Sequence, residues 1–246
     1  MLHDTAPAVR LDAVEVAYGA ASAVGPVTGI FERGQLHAIV GPNGAGKSSL
    51  LGALAGHLPA AGCITIASDL RDRIGWLPQR TQIDRSFPIQ VDDFAALGLW
   101  PRIGAFGAVG VPHRRAIDGA LTRLGLQGLQ RRLIGELSTG QFQRLLFARL
   151  CLQDARLLLL DEPFTALDER TATDMLALLH EWQREGRTVI AVLHEHAVVH
   201  DHFTNMLLLA RQPMAWGAPA EALTADAWQH AQACMASHQR MAEVAA

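Results

Sequence analysis

The 246-residue chain is short of cysteine, with three, and contains one tyrosine and, reading along it, one lysine. Cys63, Cys151 and Cys234 are far apart and form no CxxC pair, which argues against a disulfide framework or a structural zinc site and fits a reducing cytosol. A basic excess is missing too: 21 Lys and Arg stand against 24 Asp and Glu, for a formal net charge of -3 and a pI near 6.4. Such a balance lacks the positive field of a nucleic-acid binder, so no nucleic-acid partner is expected. Nowhere do about 18 apolar residues run together, as a membrane-spanning helix requires. The opening MLHDTAPAVR carries no apolar stretch of a secretory signal. If the chain serves a membrane, other chains must cross it.

What is present is the composition of a packed protein. With 50% hydrophobic and 18% charged residues, the chain reads as globular and long enough for one α/β domain with a helical insertion. Residues 9–16, VRLDAVEV, alternate apolar and polar like a half-buried strand. Residues 31–56 read as turn, strand, glycine-rich loop and helix, with Leu36 to Val40 the strand and Lys47 to Ala55 the opening of the helix. Proline and glycine punctuate residues 78–112, and helical periodicity follows from Arg114 to Leu126. About residues 81–149 are therefore expected as a helical subdomain inserted into a core of about 1–80 and 150–219, with 220–246 an alanine-rich helical tail. The segments ARLLLLDEP (155–163) and RTVIAVLHEH (187–196) each carry a nearly continuous apolar run, the mark of parallel strands covered on both faces.

Gly41-Pro42-Asn43-Gly44-Ala45-Gly46-Lys47-Ser48 fits the phosphate-loop pattern GxxxxGK[ST], followed by Ser49. Its glycines let backbone N–H groups wrap phosphates, Lys47 reaches the β and γ oxygens, and the Ser48 hydroxyl is placed to ligate Mg²⁺. Lys47 is the one lysine in a chain whose other cationic side chains, histidine aside, are all arginine. A compact ammonium is needed there, and the planar fork of arginine does not replace it. Asp161-Glu162 closes the apolar run Leu157 to Leu160. The first carboxylate is suited to hold Mg²⁺ beside the phosphates, and the second to activate water as a base.

Leu137-Ser138-Thr139-Gly140-Gln141 resembles the LSGGQ signature of ABC ATPases, about 20 residues ahead of the acidic strand. The order along the chain also resembles theirs: Tyr18, the phosphate loop, Gln79, the signature, Asp161-Glu162, Ala166-Leu167-Asp168, then His194. The resemblance spans nearly the whole chain. It implies an ABC-type P-loop NTPase fold, α/β with a mostly parallel sheet, an N-terminal antiparallel β part and an inserted helical subdomain. It further implies hydrolysis of ATP with Mg²⁺, Tyr18 stacking on adenine, Gln79 sensing γ-phosphate, metal and water, and His194 contacting the γ-phosphate. Ser138, Gly140 and Gln141 would serve the nucleotide on a second copy of the chain, with Asp168 at the same interface. Thr139 departs from the usual glycine and costs backbone freedom near phosphate.

A single cassette without membrane segments resembles importer ATPases, which sit peripherally on the cytoplasmic face of the inner membrane under a permease fed by a solute-binding protein. Asp84-Arg85-Ser86-Phe87-Pro88-Ile89-Gln90-Val91-Asp92 and the following Leu97 to Arg102 are similar to the stretch after Gln79 in zinc and manganese importers. Iron-chelate and haem importers are the nearest rivals, and a soluble ABC ATPase of repair or cluster assembly is a different class. His194, His196, His200 and His202 form HxHxxxHxH; beyond His194 they are expected on a solvated helical face, where His196 and His200 have i, i+4 spacing suited to a metal.

Overall fold

The computed structural model describes residues 6–244 apart from 20, 80–82, 105–106 and 166, together with the backbone but not the side chains of 18, 21, 239 and 241–244. Two β layers organise the chain. β1 (Val9–Tyr18), β2 (Ala21–Phe31) and, further on, β4 (Ala61–Ile66) form an antiparallel sheet in the order β2-β1-β4. The second sheet holds β3 (Leu36–Val40), β5 (Ile74–Leu77), β6 (Leu157–Asp161), β7 (Thr188–Val192), β8 (Asn205–Ala210) and β9 (Gln212–Gly217). Its order is β5-β6-β7-β3-β8-β9, parallel throughout except for the edge pair β8-β9. α1 (Lys47–Leu54) follows β3, and its Leu50, Leu51 and Leu54 lie buried between the two sheets.

Side chains of a strand alternate between faces, and the central strands use both. Leu157, Leu159, Ile190, Val192 and Ile39 join the cluster that contains α1 and the antiparallel sheet. Leu158, Leu160, Val189, Ala191, Ala38 and Val40 join the cluster on the opposite face. That alternation is why the apolar runs are continuous, and it decides on which side Asp161 emerges.

Between β5 and β6 the chain is helical: α2 (Val91–Ala96), a 3-10 turn (Leu97–Leu99), α3 (Trp100–Ile103), α4 (Val111–Arg123) and α5 (Thr139–Leu152). The helices pass through the Pro/Gly stretch that the sequence marks as broken. Pro101 and Pro112 sit in the first turns of α3 and α4, where a missing N–H costs nothing. Gly98 is there for contact, since a Cβ would lie 2.2 Å from the Arg149 carbonyl oxygen. α6 (Glu169–Arg184) precedes β7, α7 (His196–His202) follows it, and α8 (Pro219–Ala222) and α9 (Ala225–Val244) close the chain. α9 packs on the core, with Ala231 and Met235 buried in it. Among the described residues no helix is long and apolar enough to cross a membrane.

Candidate active site

Residues 41–46 turn the chain from the end of β3 into α1, and the turn tolerates no larger residues at its ends. A Cβ on Gly41 would lie 1.9 Å from the Leu209 carbonyl oxygen, and one on Gly46 2.2 Å from Val24 and 2.5 Å from the Ala23 carbonyl. Gly44 and Gly46 both adopt positive φ, at 76° and 93°. The loop is thus pressed between β8 and β2 and leads into the first turn of α1, where the N–H groups that begin a helix favour an anion. Ala45 is tied down by its carbonyl, which accepts from Arg211 N at 2.9 Å. Lys47 is 6% exposed, and its Nζ donates to the carbonyls of Gly41 at 2.8 Å and Pro42 at 3.0 Å. Burial lowers its pKa, while the charges of Glu162 and Asp161 oppose that.

Asp161 has the same parity as Leu157 and Leu159, so it leaves β6 on the side that faces α1. There Ser48 Oγ donates to its Oδ1 at 3.0 Å. Asp161 is 1% exposed, and its Oδ2 is buried with no hydrogen-bond partner. Burial pushes its pKa up, against the Ser48 hydrogen bond that pulls it down. An unpaired buried carboxylate oxygen beside a hydroxyl is costly unless a cation completes it. This oxygen-only donor set fits Mg²⁺.

Glu162 breaks the strand. Its φ of 50° is unusual for a residue with a side chain and turns the chain out of β6. Its Oε1 lies 2.8 Å from His194 Nε2 and its Oε2 accepts from Thr165 Oγ1 at 3.2 Å. Burial raises its pKa, but hydrogen bonds from His194 and Gln79 outweigh that and hold it below the usual carboxylate range. Gln79 and His194 therefore meet at Glu162, although the three residues come from beyond the ends of β5, β6 and β7.

Ser138, Gly140 and Gln141 form a separate group. Ser138 is the N-cap of α5: its Oγ accepts from Gln141 N at 3.2 Å and its N donates to Gln141 Oε1 at 3.0 Å. Thr139 occupies the first helical position, so its β-branch meets ordinary helical backbone. Gly140 leads to Asp168, whose Oδ2 would be 3.9 Å from a Cβ there. Asp168 caps α6 through Thr171 N at 2.9 Å and Thr171 Oγ1 at 2.8 Å. Pro42 and Ser49 are half-buried and Asn43 is exposed. The Tyr18 side chain and Ala166 lie outside the described residues.

Residues 24–165 match the sequence profile described as "ABC transporter". The chain belongs to the ABC transporter family. As an ABC ATPase it hydrolyses ATP. It is 34% identical to the manganese transport system ATP-binding protein MntB of Halalkalibacterium halodurans, over 89% of this chain and 90% of that protein. It is 35% identical to the zinc transport system ATP-binding protein TroB of Treponema pallidum, over 92% of this chain and 87% of that protein. An ABC transporter solved in an inward-facing conformation superposes with a TM-score of 0.79 at 27% identity, covering 92% of this chain and 90% of that one.

Two features of this ABC ATPase escape sequence reading. Thr165 reaches back to Glu162, and Arg85 reaches the signature; Arg85 lies in a segment already marked and Thr165 between two of them, and only folding shows their targets. Of the histidines expected on a solvated face, His200 is exposed, whereas His196 and His202 are half-buried. His196 packs edge-on against Trp228 with ring centroids 4.2 Å apart, and His202 Nδ1 lies 3.1 Å from His180 Nε2 on α6. Among the described residues no group of three or more His, Cys, Asp or Glu is placed to hold a metal.

Proposed function

We propose that this chain powers uptake of manganese or zinc through a separate membrane permease, hydrolysing Mg-ATP between two copies of itself. The observation that carries the chemistry is the pairing of Ser48 with Asp161, whose second oxygen is unpaired, beside a Glu162 kept ionised. Ser48, Asp161 and Gln79 would hold Mg²⁺, which when bound neutralises charge on the β and γ oxygens. Lys47 has three donors, two of them on loop carbonyls, which leaves one for a γ-phosphate. Glu162 accepts a proton from the attacking water as the bond from the γ-phosphorus to ADP breaks. His194, already on Glu162, fixes that carboxylate and turns its other side to the phosphate. Ser138 and Gly140 bind the γ-phosphate held by the second copy, their amides and the α5 N-terminus supplying positive charge.

The permease would dock in an apolar groove of about 470 Å³ lined by Phe87, Ile89, Phe94, Leu97, Trp100 and Ile134. Phe87 is 63% exposed and Trp100 54%, large rings that a partner would cover. The solute follows from the relatives whose names specify manganese and zinc, and from the Asp84–Arg102 segment that forms this groove. Substituting Lys47→Ala in the chromosome should impair growth under a manganese or zinc chelator and be rescued by the added metal. Failure of growth only when haem or a ferric chelate is the iron source would replace the metal-ion reading.

A further inference from the structure

The groove and the signature are built from the same two segments. Residues 89–92 and 130–134 are joined by backbone hydrogen bonds: Val91 N to Arg132 O at 3.0 Å, Asp92 N to Gln130 O at 3.1 Å and Ile134 N to Ile89 O at 3.0 Å. Gln90 and Leu133 form an antiparallel bridge between them. One step earlier, the backbones still touch, since a Cβ on Gly135 would lie 2.9 Å from the Arg85 carbonyl oxygen. Arg85 then crosses over. Its Nη2 donates to the carbonyl of Leu137, the residue before Ser138, and lies 3.3 Å from the Ile134 carbonyl and 3.5 Å from that of Gly135. The guanidinium carbon sits 4.8 Å from the ring centroid of Phe142, a fully buried residue of α5.

One side chain therefore binds the turn before the signature cap and the first turn of the helix that the cap begins. Its backbone lies between Asp84 and Phe87, which line the groove. One arm of the guanidinium, Nη2, meets the converging carbonyls while its planar face stacks on an aromatic ring, and a lysine ammonium brings donors for the carbonyls but no planar face to stack. We infer that Arg85 is a positioning residue for the signature: it fixes Ser138 and Gly140 for the nucleotide of the second copy and passes to them any displacement imposed in the groove. The inference rests on the two-copy reading above and adds the residue through which the groove acts on it.

The test uses the purified chain, with Arg85→Ala and Arg85→Lys variants made in both the wild-type and Glu162→Gln backgrounds. Amide hydrogen exchange in residues 134–142 should rise by about tenfold or more in Arg85→Ala, with the loop at residues 41–48 unchanged, because charged hydrogen bonds of this kind are lost only there. Arg85→Lys keeps the charge and the fold and should give an intermediate rise. Binding of a fluorescent ATP analogue to the chain's own phosphate loop should stay within about twofold, while ATP-driven dimerisation of the Glu162→Gln protein, read by light scattering, should weaken about tenfold. Unchanged exchange at 134–142, or faster exchange spread evenly over the chain, overturns the inference. Dimerisation that is equal with and without Arg85 overturns it too. A Glu162→Gln parent that stays monomeric with Mg-ATP instead overturns the two-copy reading for the isolated chain, and the exchange data, which need no dimer, then decide the role of Arg85.

Discussion

Replacing Glu162 with glutamine separates chemistry from binding. Gln has the same shape, keeps an acceptor for the Thr165 hydroxyl and can exchange a hydrogen bond with His194, contacts now at 3.2 and 2.8 Å. The backbone at φ 50° is no harder for Gln than for Glu. What is lost is the charge behind the hydrogen bonds from His194, Gln79 and Thr165, not the bonds themselves, so stability should change by no more than about 2 kcal/mol. Binding should hold or tighten: the charge of Glu162 raises the pKa of Asp161, and its removal makes the buried Mg²⁺ carboxylate easier to ionise. Its charge also supports protonated Lys47, a smaller loss because Asp161 does the same. Proton acceptance by a placed base contributes about a hundred- to ten-thousand-fold. Steady-state phosphate release should therefore fall by at least about a hundredfold while Mg-dependent binding of a fluorescent ATP analogue stays within about threefold. A folded variant turning over within about fivefold of wild type would refute the assignment of Glu162 as base.

Asp161→Asn removes a buried carboxylate whose raised folded pKa means that its stabilising contribution is lost as pH rises through that value. At neutral pH the variant should melt higher than wild type without nucleotide but gain less from Mg-ATP, as differential scanning calorimetry with and without ligand will show; a lower nucleotide-free melting point contradicts the geometry. Trp100→Ala and Phe87→Ala should each weaken capture of the permease by about thirtyfold, the cost of deleting a central aromatic anchor, with ATP binding by the isolated chain unchanged; retention on detergent-solubilised permease measures this, and equal retention removes the groove as the docking site. His37 is buried with its pKa lowered to about 4 by desolvation, against the Glu32 carbonyl that raises it. The unfolded chain, near 6.5, therefore binds more protons below that pH, and stability should fall by about 3 kcal/mol between pH 7 and pH 4 from this group alone. Urea titrations of wild type and His37→Leu over that range check the sign: the variant should show the shallower slope.

The backbone of the glycine-rich loop was legible because its determinants are local: glycines at fixed offsets take positive φ, and Lys47 opens α1. β6 and β7 were legible for a related reason, since a strand buried on both faces shows as an unbroken apolar run. The individual helices from Val91 to Ile103, inside the stretch expected to be helical, were not. Proline is a breaker by rule but harmless in a first turn, and Gly98 serves a contact with Arg149 that no window of local sequence contains. The same limit hid Arg85, whose acceptors lie some 50 positions on, at Ile134, Gly135 and Leu137. The histidines were read as a solvated face for want of neighbours: His200 on α7 is exposed, but Trp228 from α9 and His180 from α6 take up His196 and His202.

On the proposed mechanism, ATP hydrolysis at Lys47 and Glu162 drives a divalent metal across a membrane. Uptake of radioactive manganese and, in parallel, zinc into cells carrying wild-type, Lys47→Ala or Glu162→Gln chains, at equal chain abundance, tests it directly. High-affinity uptake of at least one of the two metals should be present with wild type and lost in both variants, with passive entry at high metal concentration unaffected. Uptake of both metals unchanged in the two variants would contradict the account.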